Sequence, residues 1–241
     1  MALSKVEEIT NILREEILRG QYRAGERLPS ERDLAARFES NRGAVREAIK
    51  KLEQLGIVEV KPGGVRIVPI EDATLEVLGH LMDLEERPSP SLVGQIFEVA
   101  GAMMSLSARS AIENASDEQI QHMRTIVEGL RHPVDVEQEN QGAWRALGKY
   151  FFEINQNLVL KLIGNGLKTQ FMGRLQKIGL HPQMDANRER ELLDMMDQAI
   201  QTRDHEAAGN AIIGHFQLLK TGMQKTLEQE QQEQIRSVSH A

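Results

Sequence analysis

The chain has 241 residues, 40% of them apolar, no cysteine, and 29 Lys and Arg against 36 Asp and Glu, for a net charge of −7. That length leaves room for two domains with real cores, and the missing cysteines exclude a disulfide framework, thiolate catalysis and a zinc finger. No stretch reads as long and apolar enough to cross a bilayer and no signal-peptide pattern opens the chain, which implies a soluble, cytoplasmic protein without a membrane partner.

The charge is divided unevenly. Residues 1–68 hold 13 cations and 11 anions, or +2, so the remainder holds 16 and 25, or −9. A mildly basic segment joined to an acidic one fits a protein that binds DNA through one face, and not a general nucleic-acid coat.

The first helix is expected over Ser4–Arg19, with Val6, Ile9, Ile12, Leu13 and Ile17 at helical spacing and Gly20 ending it. Arg23 to Pro29 reads as a loop. Ser30, between Pro29 and Glu31, is placed to cap a short helix whose apolar face is Leu34, Ala35 and Phe38. After Glu39 and Ser40, Asn41 caps a second helix with Val45, Ile49 and Leu52 at i, i+4 and i+7, continued by Leu55 and stopped by Gly56. Residues 57–60 and 65–68 are β-branched runs around Lys61-Pro62, with Gly63-Gly64 read as the tight turn. Helix, turn, helix, hairpin is a winged helix-turn-helix.

In such a motif the N-terminal end of the second helix enters the major groove. Here that end is Asn41, Arg42, Gly43, Ala44, Val45 and Arg46. Arg42 and Arg46, four apart, share a face, Gly43 and Ala44 let the backbone approach DNA, and Arg32 is placed to touch phosphate. The competing reading of these arginines is surface pairing with Glu31, Glu39 or Glu47.

Leu28-Pro29-Ser30-Glu31-Arg32-Asp33-Leu34-Ala35, then Val45-Arg46-Glu47-Ala48-Ile49-Lys50-Lys51-Leu52-Glu53 and Gly56-Ile57-Val58, resembles the DNA-binding domain of GntR-family bacterial transcription regulators. The resemblance implies that Arg32, Asn41, Arg42, Gly43, Ala44 and Arg46 face double-stranded operator DNA and that Gly63, at the wing tip, reaches the minor groove. It also implies a homodimer on a pseudo-palindromic site. Where the family commonly has Ser or Thr, Arg, then Thr or Pro, this chain has Asn41-Arg42-Gly43-Ala44, which removes hydroxyl contacts to the DNA backbone.

Pro69–Asp72 reads as a linker, dividing a domain over 1–72 from one over 73–241. The second reads as all helix: a stripe of Leu75, Leu78, Leu81 and Met82, a break at Pro88-Ser89-Pro90, a helix over 91–114, and a capping box at Ser116-Asp117-Glu118-Gln119. His132-Pro133 interrupts again, helices follow over 134–155, 158–178 and 185–202, and a last one starts after Asp204. The expected fold class is mainly α, a winged helix-turn-helix with a small β-hairpin followed by an all-α bundle of six or seven helices.

Met196, Ala199-Ile200, Asp204-His205-Glu206-Ala207-Ala208, Ile212 and Gly214-His215-Phe216, with Asn155-Gln156-Asn157 upstream, resemble the FCD ligand-sensing domain of the FadR subgroup. Most such domains hold a metal through an Asp-x-x-x-His pair and two further histidines. The corresponding positions here are Trp144, Gly148 and Leu193 with only His215 retained, which implies no metal and no cofactor. His215 is then either a hydrogen-bonded core residue or a polar group lining a ligand cavity. The segment Asn165 to Arg174 is similar to a helix of the metal-free, acyl-CoA-responsive FadR protein, and it nominates Phe171 and Arg174, with Lys168, as ligand contacts. Leu106, Phe151, Ile154, Leu162 and Phe171 are expected to wall an apolar cavity. The small-molecule effector is read as an acyl-CoA or fatty acid, or alternatively as a small organic acid held through Arg and His. No enzyme is expected: Pro62-Gly63-Gly64 lacks the lysine and spacing of a phosphate loop, and Glu189 and Glu191 read as solvated.

Overall fold

The computed structural model describes residues 3–85, 87–131, 139–177 and 181–239. They fall into two compact units, Met1–Pro88 and Ser89–Ala241. In the first, helices α1 (Lys5–Leu18), α2 (Glu31–Arg37) and α3 (Arg42–Gln54) precede strands β1 (Val58–Lys61) and β2 (Gly64–Ile67). The helix starts expected at Ser30 and Asn41 are made: the Ser30 hydroxyl accepts from the Asp33 N–H at 3.3 Å, and Asn41 Oδ1 from the Ala44 N–H at 2.9 Å. Ser4 opens α1 with a reciprocal capping box to Glu7.

Ile9, Leu13, Leu34, Val45, Leu52 and Ile57 are fully buried and form the heart of this unit. Each such side chain contributes about 1.5–3 kcal/mol relative to exposure. Ile12 is left at the rim, because the face that α1 buries is Ile9, Thr10, Leu13 and Ile17. The Thr10 hydroxyl donates to the Val6 carbonyl at 2.7 Å and so enters the core satisfied.

The hairpin differs by a residue from the expected one. Lys61 pairs with Gly64, so the turn is Pro62-Gly63 and Gly64 already belongs to β2. Pro62 presets the first turn dihedral and Gly63, at φ +96°, supplies the second, the sign pattern of a type II turn. The loop before α2 backs the wing, with the Leu28 N–H donating to the Val65 carbonyl and the Ile67 N–H to the Glu26 carbonyl, both at 2.9 Å.

The first unit also runs past the boundary expected at residue 72. A 3-10 turn, Ile70–Asp72, leads to a hydrogen bond from the Thr74 N–H to the Leu55 carbonyl and then to α4 (Val77–Met82). Val77 is buried in the reader's core, whereas Leu75, read as part of a stripe, is exposed. The apolar face of α4 therefore belongs with α1 to α3, and the division falls at Pro88.

Among the described residues the second unit has six helices: α5 (Pro90–Asn114), α6 (Asp117–Arg131), α7 (Glu139–Ile154), α8 (Leu158–Lys177), α9 (Ala186–Thr202) and α10 (His205–Ser239). Ala108, Ile112, Met123, Leu147, Phe151, Leu192, Met196 and Ile200 make its core. Helix α10 lies along α5 at close range: a Cβ on Gly101 would come within 2.7 Å of the Phe216 Cβ. The Ser116 capping box forms, with the Ser116 N–H donating to Gln119 Oε1 at 2.8 Å and the Gln119 N–H to Ser116 Oγ at 3.2 Å. The break read at His132-Pro133, the helix start at Val134 and the helix end at Ile178 lie outside the described residues.

Two expectations from composition are corrected here. Helix α5 is, by length and apolarity alone, capable of spanning a bilayer. Its apolar run includes the side chains that α7, α8 and α10 pack against, so the same composition serves a core helix. Glu189 is buried at the start of α9 instead of solvated, and burial raises its carboxyl above the ordinary range.

Candidate nucleic-acid interface and effector site

Helix α3 is two-faced. Val45, Ala48, Ile49 and Leu52 enter the core, and Asn41, Arg42, Gly43 and Arg46 stand on the surface, with Ala44 half-buried between them. A Cβ on Gly43 would sit 3.0 Å from Asn41 Oδ1, so glycine leaves the capping amide its room. The turn between α2 and α3 is closed by Glu39 in the left-handed region, at φ +49°.

The arginines are not equivalent. Arg46 Nε donates to Glu31 Oε2 at 2.7 Å, and Arg32 Nε lies 3.5 Å from Asp33 Oδ1. Arg42 makes no ion pair among the described residues. The surface-pairing reading thus holds for Arg46, with Glu31, whereas Arg32 meets Asp33, which was not among the expected partners. Exposed pairs of this kind contribute about 0–1 kcal/mol, so a phosphate or base edge can displace them. The hydroxyl of Ser30, donating to Asp33 at 2.6 Å, holds that carboxyl below its ordinary range and keeps it an anion beside Arg32.

At the wing, Gly63 is open on all sides at its Cβ position, whereas the guanidinium of Arg27 lies against Gly64. Arg66 anchors the same corner by donating to the Gly25 carbonyl at 2.9 Å. Arg27 is a cation at the base of the wing that sequence reasoning missed. Its pairing with Arg66 in the isolated bridge spans too much chain for any local pattern to show it.

In the second unit His215 is 5% exposed and stacks on Trp144, with ring centroids 4.0 Å apart and planes at 17°. Burial pushes its pKa down to about 3, so the imidazole is neutral. Among the described residues, neither His215 Nδ1 nor Trp144 Nε1 has a hydrogen-bond partner. Phe171 connects to this pair through rings: it meets Phe97 edge-on at 5.4 Å, Phe97 meets Phe216 at 6.5 Å, and Phe216 adjoins His215. Arg174 is half-buried and donates to the Gln170 carbonyl at 2.8 Å within its own helix. Of the expected cavity walls, Phe151 is fully buried in the core, but Leu106 and Leu162 face outward. Their faces of α5 and α8 are those left over after each helix has packed its other side.

Residues 5–67 match the family of bacterial regulatory proteins called gntR, and residues 95–218, more than half of the chain, match the FCD domain. The chain belongs to the FCD-domain family. It joins that domain to a gntR-type winged helix-turn-helix, the combination of bacterial GntR-family transcriptional regulators. The HTH-type transcriptional regulator Rv0494 of Mycobacterium tuberculosis is 27% identical over 70% of this chain and 69% of its own length. The transcriptional repressor NanR of Klebsiella aerogenes is 32% identical over 53% of this chain and 50% of its own. Among solved structures, Lar, which controls the agr system of Listeria monocytogenes, aligns over 93% of this chain and 99% of its own at 17% identity and a TM-score of 0.52, a likeness of fold.

The FCD unit of this chain does not fit a metal ion. The positions that the resemblance assigns to ligands hold an indole, whose N–H has no lone pair to give, a glycine on which an added Cβ would sit 3.0 Å from Met104 Cε, and a buried leucine. No group of three His, Asp or Glu gathers anywhere among the described residues. Trp144, met in the sequence as a lost ligand, is instead the aromatic partner of His215. Its being the single tryptophan, at a position expected to be a metal ligand, was the available signal.

Proposed function

We propose that this chain is a ligand-responsive transcriptional repressor of the FadR subgroup that binds a pseudo-palindromic operator as a homodimer. The observation that carries the reading is the Asn41-capped helix α3, which buries Val45, Ile49 and Leu52 and thereby turns Arg42 and Arg46 outward beside a hairpin wing. Arg42 and Arg46 contact base edges or phosphates, Arg32 contacts phosphate, Asn41, Gly43 and Ala44 allow close approach of the helix end, and Gly63 carries the wing tip toward the minor groove. NanR's description as a repressor supports the sign of regulation.

The effector reading that fits best is a compact organic acid bound beside Trp144 and His215, in preference to an acyl-CoA. Two buried ring nitrogens without partners suit a small polar ligand, whereas two of the apolar walls an acyl chain would need, Leu106 and Leu162, face outward. Arg42→Ala tests the reader: if Arg42 contacts guanine, operator affinity measured by fluorescence anisotropy falls by about 1–3 kcal/mol. Wild-type affinity in both Arg42→Ala and Arg46→Ala refutes the assignment. Release of the operator by acyl-CoA at lower concentration than by any small carboxylate would reverse the choice of effector.

A further inference from the structure

We infer that Arg27 is a phosphate contact of this reader, a cation held ready at the base of the wing against Gly64. Residues 59 and 61 of β1 and 64 and 66 of β2 share one face of the hairpin, because strand residues alternate sides and Glu59 stands opposite Arg66. The isolated bridge sets Arg27 opposite Arg66 on its other side, and so on the same face. Arg27, Lys61 and Arg66 therefore share that face with a single anion, Glu59. The other face carries Val58 and Ile67 into the core.

That anion is already taken. Glu59 Oε2 lies 2.7 Å from Lys61 Nζ, and Arg66 Nη1 is turned back onto the Gly25 carbonyl at 2.9 Å. The Arg27 side chain is exposed and makes no hydrogen bond or ion pair among the described residues. Like charges directly opposite each other on a sheet cost stability, and a polyanion laid along this face offsets that cost. Position is fixed as well as charge. A Cβ on Gly64 would sit 2.9 Å from Arg27 Nη2 and 3.0 Å from its Cζ, so any other residue there would push the guanidinium aside. With glycine it lies against the strand, beside the wing tip at Gly63, and a planar fork already in place loses less freedom on meeting a phosphate. The inference rests on the operator-binding reading and adds to it a contact that is independent of base sequence.

The test is fluorescence anisotropy of the full chain on a labelled duplex of arbitrary sequence, at salt concentrations between about 50 and 200 mM. Phosphate contacts do not depend on sequence, and log K falls with log salt by about 0.9 for each of them. Arg27→Gln is expected to lower that slope by about 0.9 per bound copy, whereas Arg27→Lys, which keeps the charge, retains the wild-type slope. Both replace an exposed side chain, so the reader folds in either variant. An unchanged slope in Arg27→Gln overturns the inference. So does an equal loss in Arg27→Gln and Arg27→Lys, which would make the guanidinium a packing group of the wing. Arg42→Ala separates this result from the reading beneath it. Weakened binding there beside a wild-type slope in Arg27→Gln refutes the Arg27 contact alone, whereas a wild type that binds no duplex refutes both.

Discussion

A buried neutral histidine makes the stability of the FCD unit depend on pH in a way that one substitution removes. His215 has an ordinary pKa of 6.5 and a folded pKa of about 3, so the unfolded chain binds the proton more tightly. Stability is therefore complete above pH 6.5 and drains as the pH falls toward 3, at about 1.4 kcal/mol per pH unit. Between pH 7.5 and 5.5 the loss is about 1.4 kcal/mol, and by pH 4.5 about 2.7 kcal/mol. Glu189 acts with the opposite sign, since a carboxyl raised by burial holds its proton better when folded. That contribution is common to wild type and His215→Leu and cancels in their difference. Trp144, the only tryptophan, lies against His215 and reports this unit alone, so urea titrations followed by its fluorescence at the two pH values measure the effect. His215→Leu keeps the volume, removes an unpaired nitrogen and flattens the pH dependence. An equal slope in wild type and variant would show that His215 is not held neutral by its burial.

Other consequences follow from single contacts. Glu31→Gln frees Arg46 from its 2.7 Å partner and removes an anion from the reader surface, so operator affinity in anisotropy rises by up to about fivefold, with the gain vanishing in Arg46→Ala. Glu39→Gly relieves a non-glycine residue at φ +49° and raises the reader unit's calorimetric transition by the equivalent of about 0.5–1 kcal/mol; an unchanged or lower transition refutes it. Dialysis against EDTA leaves the Trp144-reported melting temperature unmoved, whereas a metal held far above its dissociation constant would contribute roughly 3 kcal/mol or more. Stoichiometric metal by elemental analysis would refute that expectation.

The reader was legible because its signals are local. Ser30, Asn41 and Gly56 act on residues within four positions of themselves, and the stripe of Val45, Ile49 and Leu52 needs only one helix to declare a buried face. What was misread depended on partners distant in sequence. Val77 belongs to the same buried core as Leu13 and Leu55, which moved the boundary from 72 to 88. Leu106 and Leu162 are apolar and at helical spacing, as core residues are, and only the packing of α10 and α7 on α5, and of α5 on α8, leaves them outside. The stack of Trp144 on His215 joins α7 to α10 across seventy residues, beyond the reach of any spacing rule. Glu189 shows the limit from the other side: a charge in a charged run reads as solvated until the folded chain buries it.

The pair Trp144 and His215 also sets the scale on which an effector can act. A ligand weakens operator binding only by as much as it prefers one state of the chain over another, and tenfold release requires about 1.4 kcal/mol of that preference. A buried polar group without a partner costs about 1–3 kcal/mol, and this pair presents two such groups side by side in the unliganded chain. A carboxylate that accepts from the indole N–H, and draws a proton onto the imidazole, relieves both costs at once. One site of this kind therefore holds enough free energy for regulation, without a metal and without a long apolar chain. It also requires effector affinity to rise as pH falls, because the bound state contains a proton that the free protein, with His215 titrating near 3, does not hold at neutral pH. Calorimetry of the carboxylate in buffers of different ionisation enthalpy measures that proton, and binding with no proton uptake would leave the imidazole a packing residue only.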